Sequence, residues 1–372
     1  MRAAGGYDTP QGSLTQASSF PHDLLGRGSP GGSEVEASSR FSASKCPRIL
    51  LMGLRRSGKT SIFKVVFHKM SPHETLFLES TVKTVQHDVD HSSILQFKVW
   101  DFAGSVTPEE LSTDDRSVFI PASALLFVLD AQDELGPALS RLIATIERAY
   151  MVNRRIFFEI FVHKVDGLSE ERKLDLQRDI SHHVTKQLNL RRLEEANVAF
   201  YLSSIYDHSI YENVSKVVQK LVPSLATLEN MLDILISNCR IQKAFLFDVL
   251  TKVYIATDSQ PVDVQSFELA SDMLDVVVDV SCIYGQAGEE CDVLAFDSQS
   301  AAIITLNNEM VLYMREVSKY LSLVCLMRAE NLERQGLIDY NVQVLKQALR
   351  DVLAGKGCRT PRLSLISNPG SI

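Results

Sequence analysis

At 372 residues the chain is longer than one typical domain, so two domains, each with its own core, are expected. A hydrophobic fraction of 45% and a charged fraction of 23% exclude a disordered or membrane-spanning chain, and a formal net charge of -8 gives no basic footprint for nucleic acid. The six cysteines (Cys46, Cys239, Cys282, Cys291, Cys325 and Cys358) form no C-x-x-C pair, so reduced thiols are expected rather than disulfides or zinc.

Residues 1–46 are rich in Gly, Ser, Pro and Ala without periodicity and read as a disordered tail. The N-terminus has no apolar signal core and the C-terminus no prenylatable cysteine, so no direct membrane insertion is expected. An apolar run at 49–52, followed at once by Gly53 and a helical pattern, reads as a buried parallel strand opening a βα unit. Strand-like runs recur at 94–100, 124–129, 156–162 and 198–202, separated by helical stretches at 135–150 and 169–188. This alternation predicts a mostly parallel sheet with helices on both faces. The pattern breaks near Pro223. A hairpin at 244–247 and 253–256 then leads to a helix carrying Phe267, Ala270, Leu274, Val277 and Val278. Strands at 301–306, 310–317 and 321–327 and a closing helix at 332–353 complete an order ββαβββα, a sheet under two helices. The boundaries predicted are 47–223 and 224–355, with a loose tail at 356–372.

Gly53-Leu54-Arg55-Arg56-Ser57-Gly58-Lys59-Thr60 fits G-x-x-x-x-G-K-[ST] between a strand and a helix, the setting a phosphate-binding loop needs. Backbone N–H groups from Arg56 to Ser61 would face the β-phosphate, Lys59 would neutralise β/γ charge and the Thr60 hydroxyl would bind Mg²⁺. Asp101-Phe102-Ala103-Gly104 fits the D-x-x-G turn, with Asp101 holding Mg²⁺ through water and the Gly104 amide meeting the γ-phosphate. His163-Lys164-Val165-Asp166 approaches N-K-x-D, in which the carboxylate accepts from guanine N1–H and N2–H₂, an edge adenine lacks. The His163 ring can still pack near the base, and the Lys164 stem can lie along the purine. Ser203-Ser204-Ile205 ends the next strand, where a backbone amide could reach guanine O6 from the far side. Their common order at strand carboxyl ends points to GTP or GDP as ligand. A threonine between the first two motifs should meet Mg²⁺, and the residues alone do not choose among Thr75, Thr81 and Thr84. His182-His183 reads as a solvated helix face, and Phe245, Phe247, Val277 and Val278 as ordinary core.

The chain resembles the Rag GTPases of the C/D type from about Pro47 to Leu353. PRILLMGLRRSGKT (47–60), FHKMSP (67–72), LEST (78–81), HKVDGLS (163–169) and YDHSI (206–210) carry the likeness in the first part. KAFLFD (243–248), YIATDS (254–259), SCIYG (281–285) and GLIDY (336–340) carry it in the second. The resemblance implies a P-loop GTPase domain followed by an α+β roadblock/longin-like domain that pairs with a Rag subunit of the A/B type. It also implies docking on the Ragulator scaffold at the lysosomal surface, with cytoplasmic and nuclear pools allowed. There the pair would signal amino-acid supply to the target-of-rapamycin kinase complex. By the same likeness Thr81 is the switch threonine on Mg²⁺, and Thr75 lies near the nucleotide. The chain departs from the family after Gly104, where a water-positioning glutamine is expected and Ser105 stands, followed by Val106-Thr-Pro-Glu-Glu110. Ser105 is too short to hold that water, so hydrolysis is expected to be very slow or completed by a GTPase activator. The rival expectations are a non-hydrolysing scaffold subunit and a P-loop ATPase or small-molecule kinase, the latter lacking a use for Asp166.

Overall fold

The computed structural model describes residues 47–90, 96–106, 116–222, 224–284, 296, 299–318 and 320–353. The tails expected at 1–46 and 356–372, and residues 107–110 of the divergent segment, lie outside them. The first sheet contains β1 (Arg48–Gly53), β2 (Val85–Asp90), β3 (Gln96–Asp101), β4 (Ala124–Asp130), β5 (Phe157–His163) and β6 (Val198–Ser203) in the order β2-β3-β1-β4-β5-β6. Only β2 runs antiparallel, paired with β3. Alternation along β1 divides the core: Ile49 and Leu51 face α1 (Lys59–His68) and α5 (Ser209–Gln219). Leu50 and Met52 face α3 (Leu135–Val152) and α4 (Glu170–Leu190) on the other side. β4, with both faces covered, is apolar from Ala124 to Leu129, as a central parallel strand must be. The short α2 (Arg116–Phe119) precedes it, and Ser169 caps α4 by accepting from the Arg172 N–H, with Glu170 and Glu171 in the first turn.

The second sheet is built from β7 (Lys243–Asp248), β8 (Val253–Thr257), β9 (Ala301–Thr305), β10 (Met310–Ser318) and β11 (Leu321–Arg328), ordered β8-β7-β11-β10-β9 and antiparallel throughout. Phe245 and Phe247 pack on α7 (Val264–Tyr284) through Phe267, Ala270 and Leu274. Ala244 and Leu246 face α6 (Leu225–Cys239) and α9 (Gln335–Leu353) on the opposite face, and α8 (Ala329–Leu332) links β11 to α9. The order ββαβββα therefore needs correction, because α6 precedes the hairpin and helices cover both faces instead of one. The strand at β2 is likewise absent from the sequence reading. Phe245 and Phe247 are core as expected, Val277 and Val278 are partly buried against them, and His182 and His183 are exposed. Among the described residues Cys239, Cys282 and Cys325 are free thiols, and no helix is long and apolar enough to cross a membrane.

Candidate functional site

Strand register sets the site. Leu51 lies opposite Asp101, Asp130 opposite His163, and His163 opposite Ser203, so these polar residues line up where the parallel strands end. Carboxyl ends of such sheets are where α/β folds bind ligands. A cleft of about 690 Å³ opens there, and Arg56, Gly58, Lys59, Thr60 and Ser61 form its floor. The first amides of α1 have no acceptor within the helix, so this floor is suited to an anion. Gly58 is in the left-handed region at φ 99, and a Cβ there would stand 2.6 Å from the His163 ring. Only glycine lets the loop turn against that imidazole.

Lys59 is 5% exposed, and its ammonium donates to the carbonyls of Gly53 (3.1 Å) and Leu54 (2.8 Å). Burial pushes its pKa down to about 8 against the pull of Asp101, while Arg141 adds to the depression. A charge held only by carbonyls gains strongly from an arriving phosphate. The Thr60 hydroxyl donates to Asp101 Oδ2 at 2.6 Å and lies 2.8 Å from the Thr81 hydroxyl. Asp101 Oδ1 is buried with no hydrogen-bond partner among the described residues, and burial raises its pKa despite the opposing Thr60 bond, Lys59 and His87. Two hydroxyls and an orphaned carboxylate oxygen are the hard oxygen donors that Mg²⁺ takes. Among the described residues no three His, Cys, Asp or Glu side chains gather as a metal site. Thr75 is buried, donates to the Pro72 carbonyl at 2.7 Å and also lines the cleft, whereas Thr84 is exposed and does not. Of the three threonines, Thr81 therefore lies beside Thr60, Thr75 lines the cleft, and Thr84 lies outside it.

At the other end of the cleft stand His163, Lys164, Asp166 and Ile205. Asp166 is exposed, and its Oδ1 accepts from the Ser204 hydroxyl at 2.8 Å. Ser204 is itself fully buried, its N–H donated to Ser209 Oγ, so it orients the carboxylate from behind and does not line the cleft. Ser57 also turns inward, donating to the Leu54 carbonyl. His163 is 1% exposed, with Nδ1 3.0 Å from Ser203 Oγ. Burial holds its pKa down to about 4, with Lys164 assisting and Asp130 opposing, so the ring is a neutral wedge between this loop and Gly58. Lys164 Nζ donates to the Arg56 carbonyl at 2.8 Å and pairs with Asp130 at 2.5 Å, which lays its stem along the cleft wall. Arg56 and Lys164 both hold positive φ, 62 and 63, and the bond between them helps fix two unfavourable backbone conformations.

Gly104 lines the cleft, while Ser105 beyond it is exposed. Sequence reasoning missed Asp130, Gln132, Tyr206 and Arg141. Gln132 Nε2 donates to the Lys164 carbonyl at 3.0 Å, and Tyr206, which lines the cleft, meets His73 with ring centroids 5.7 Å apart. A carboxylate closing an apolar strand was the available signal for Asp130; Arg141, far along a helix, had none.

The Gtr1/RagA G protein conserved region matches residues 48–274. Over 309 residues the chain is 56% identical to Ras-related GTP-binding protein C of Mus musculus, covering 83% of this chain and 77% of that protein. It is 55% identical over 318 residues to Ras-related GTP-binding protein D of the same organism, covering 86% and 71%. With the GTP-binding protein gtr2 of Schizosaccharomyces pombe the identity is 49% over 312 residues, covering 82% of this chain and 98% of the yeast protein. A cleft with a phosphate loop at one end and a carboxylate at the other is thus carried by a chain that belongs to the Rag GTPases, C/D type.

Proposed function

We propose that this chain is the guanine-nucleotide switch subunit of a Rag heterodimer. The observation that carries the reading is Asp166, held by Ser204 at the rim of the same cleft whose floor is Lys59 and Thr60. One carboxylate can accept from both guanine donors, and the phosphates then reach the α1 N-terminus. Thr60, Thr81 and Asp101 would hold Mg²⁺, which when bound neutralises charge between the β- and γ-phosphates. The third phosphate orders residues 75–84 and the loop after Gly104, and a partner reads that order. With Ser105 at the water-positioning place, hydrolysis is slow or supplied by an activator, so signalling rests on nucleotide state.

In this reading residues 47–223 form the nucleotide module and 224–355 a roadblock-type module that pairs with a Rag subunit of the A/B type. The heterodimer docks on Ragulator at the lysosomal surface and reports amino-acid supply to the target-of-rapamycin kinase complex.

The test is nucleotide extraction from the full chain co-expressed with an A/B-type subunit, followed by single-turnover hydrolysis. Asp166→Asn should lower guanine-nucleotide affinity by roughly a hundredfold or more and move preference to xanthine nucleotides, because the amide presents a donor where guanine needs an acceptor. Bound GDP or GTP with that exchange of preference supports the switch. An empty protein that still dimerises would replace it with a scaffold subunit.

A further inference from the structure

Arg141, on the second turn of α3, reaches across to the D-x-x-G turn, where its Nη1 donates to the Gly104 carbonyl at 2.9 Å. Gly104 has no room on its other side: a Cβ there would stand 2.4 Å from the Arg55 nitrogen and 2.7 Å from the Leu54 carbonyl carbon. The residue is thus pressed on the phosphate loop, lines the cleft and is tied at its carbonyl to a helix outside the nucleotide motifs. In a trans peptide the carbonyl and the next N–H point in opposite directions, so fixing the Gly104 oxygen also fixes where the Ser105 N–H points. Beside the Gly104 amide expected at the γ-phosphate, the Ser105 N–H is a second backbone donor that this turn can offer a third phosphate.

Among the described residues no carboxylate pairs with Arg141, and its charge is close enough to Lys59 to depress that lysine's pKa. A guanidinium bonded to one carbonyl keeps further donors, here behind the phosphate loop against Gly53 and Ala103 and not in the cleft itself. We propose that Arg141 is a positioning residue that sets the preference for triphosphate over diphosphate, by holding the Gly104–Ser105 peptide in the orientation that accepts a third phosphate. The inference rests on the guanine-nucleotide reading above.

The test compares affinities of GDP and a non-hydrolysable GTP analogue, both with Mg²⁺, for the full chain with its partner subunit. Wild type, Arg141→Ala, Arg141→Met and Arg141→Lys are measured by competition against a fluorescent nucleotide. In Arg141→Met, which keeps the packed stem and removes the donor, triphosphate affinity should fall about tenfold while diphosphate affinity stays within about twofold. Arg141→Ala should match it, and Arg141→Lys should recover part of the loss, because an ammonium can still donate to the carbonyl. Equal losses for both nucleotides, as a merely structural role would give, or an unchanged ratio in Met and Lys variants, overturns the assignment. A wild-type protein that binds neither nucleotide overturns the guanine reading instead, so the two failures are distinct.

Discussion

Buried charge is treated in opposite ways at the cleft of the first sheet and inside the second. In the first, Lys59 is held by two carbonyls and Asp101 keeps an orphaned oxygen, both beside an open cleft. In the second, Lys243 and Asp258 pair at 3.0 Å with side chains 6% and 0% exposed. Asp258 also accepts from the Ala244 N–H and the Thr257 hydroxyl, and Lys243 also donates to the Gln260 carbonyl. Lys346 closes on Glu316 similarly. A buried charge costs free energy until partners surround it. Closed networks therefore mark charges whose partners belong to the fold, and open ones mark charges whose partner arrives from outside.

The largest effect expected from breaking this contrast is in the closed region. Lys243→Ala leaves Asp258 buried without its cation and should lower unfolding free energy by about 3–5 kcal/mol, read by urea denaturation. Nucleotide affinity of the folded fraction should not change; a parallel loss would mean that the second sheet takes part in the cleft.

A smaller effect sharpens the contrast from the open side. Burial holds the folded pKa of His163 at about 4, against 6.5 for an ordinary histidine. Below pH 6.5 the unfolded chain takes a proton that the folded ring refuses, so this contribution costs nothing above 6.5 and removes stability as pH falls to about 4. The expected slope is at most about 1.4 kcal/mol per pH unit. His163→Asn, which cannot protonate, should show a flatter dependence of melting temperature on pH between those limits. Parallel curves for the two proteins would remove His163 as the cause.

How much of this was legible follows from what each residue must satisfy. The phosphate loop, β1 and the strand ends were readable because an apolar run, glycines and a Lys-Thr pair each meet a local requirement. β2 was not, since Val85-Gln-His-Asp-Val-Asp90 offers only two apolar residues and is held as an edge by pairing with β3, including Lys98 with Asp88 at 2.9 Å. α6 carries Leu228, Met231, Leu232 and Leu235 at helical spacing, so its signal is present; its position beside the break at Pro223 conceals it. Arg141 and Ser204 act on groups 37 and 38 positions away, and no local pattern records such a contact.

Difference in role does not require independence in folding, and Ser215 tests that point with the smallest effect. It lies on α5, fully buried; its hydroxyl donates to the Tyr211 carbonyl at 2.6 Å and accepts from the Tyr254 N–H at 3.0 Å. Tyr254 belongs to β8, an edge strand of the second sheet, so this hydroxyl satisfies an edge amide from across the boundary. Val214, Val217 and Val218 on the same helix share one apolar cluster with Leu228 and Leu232 of α6. Ser215→Ala should cost about 1–2 kcal/mol by stranding that amide, and nucleotide affinity should hold. Because the apolar cluster stays continuous, calorimetry should still record a single transition at lower temperature. Two resolved transitions would mean that the hydroxyl, more than the shared apolar surface, makes the two sheets unfold together.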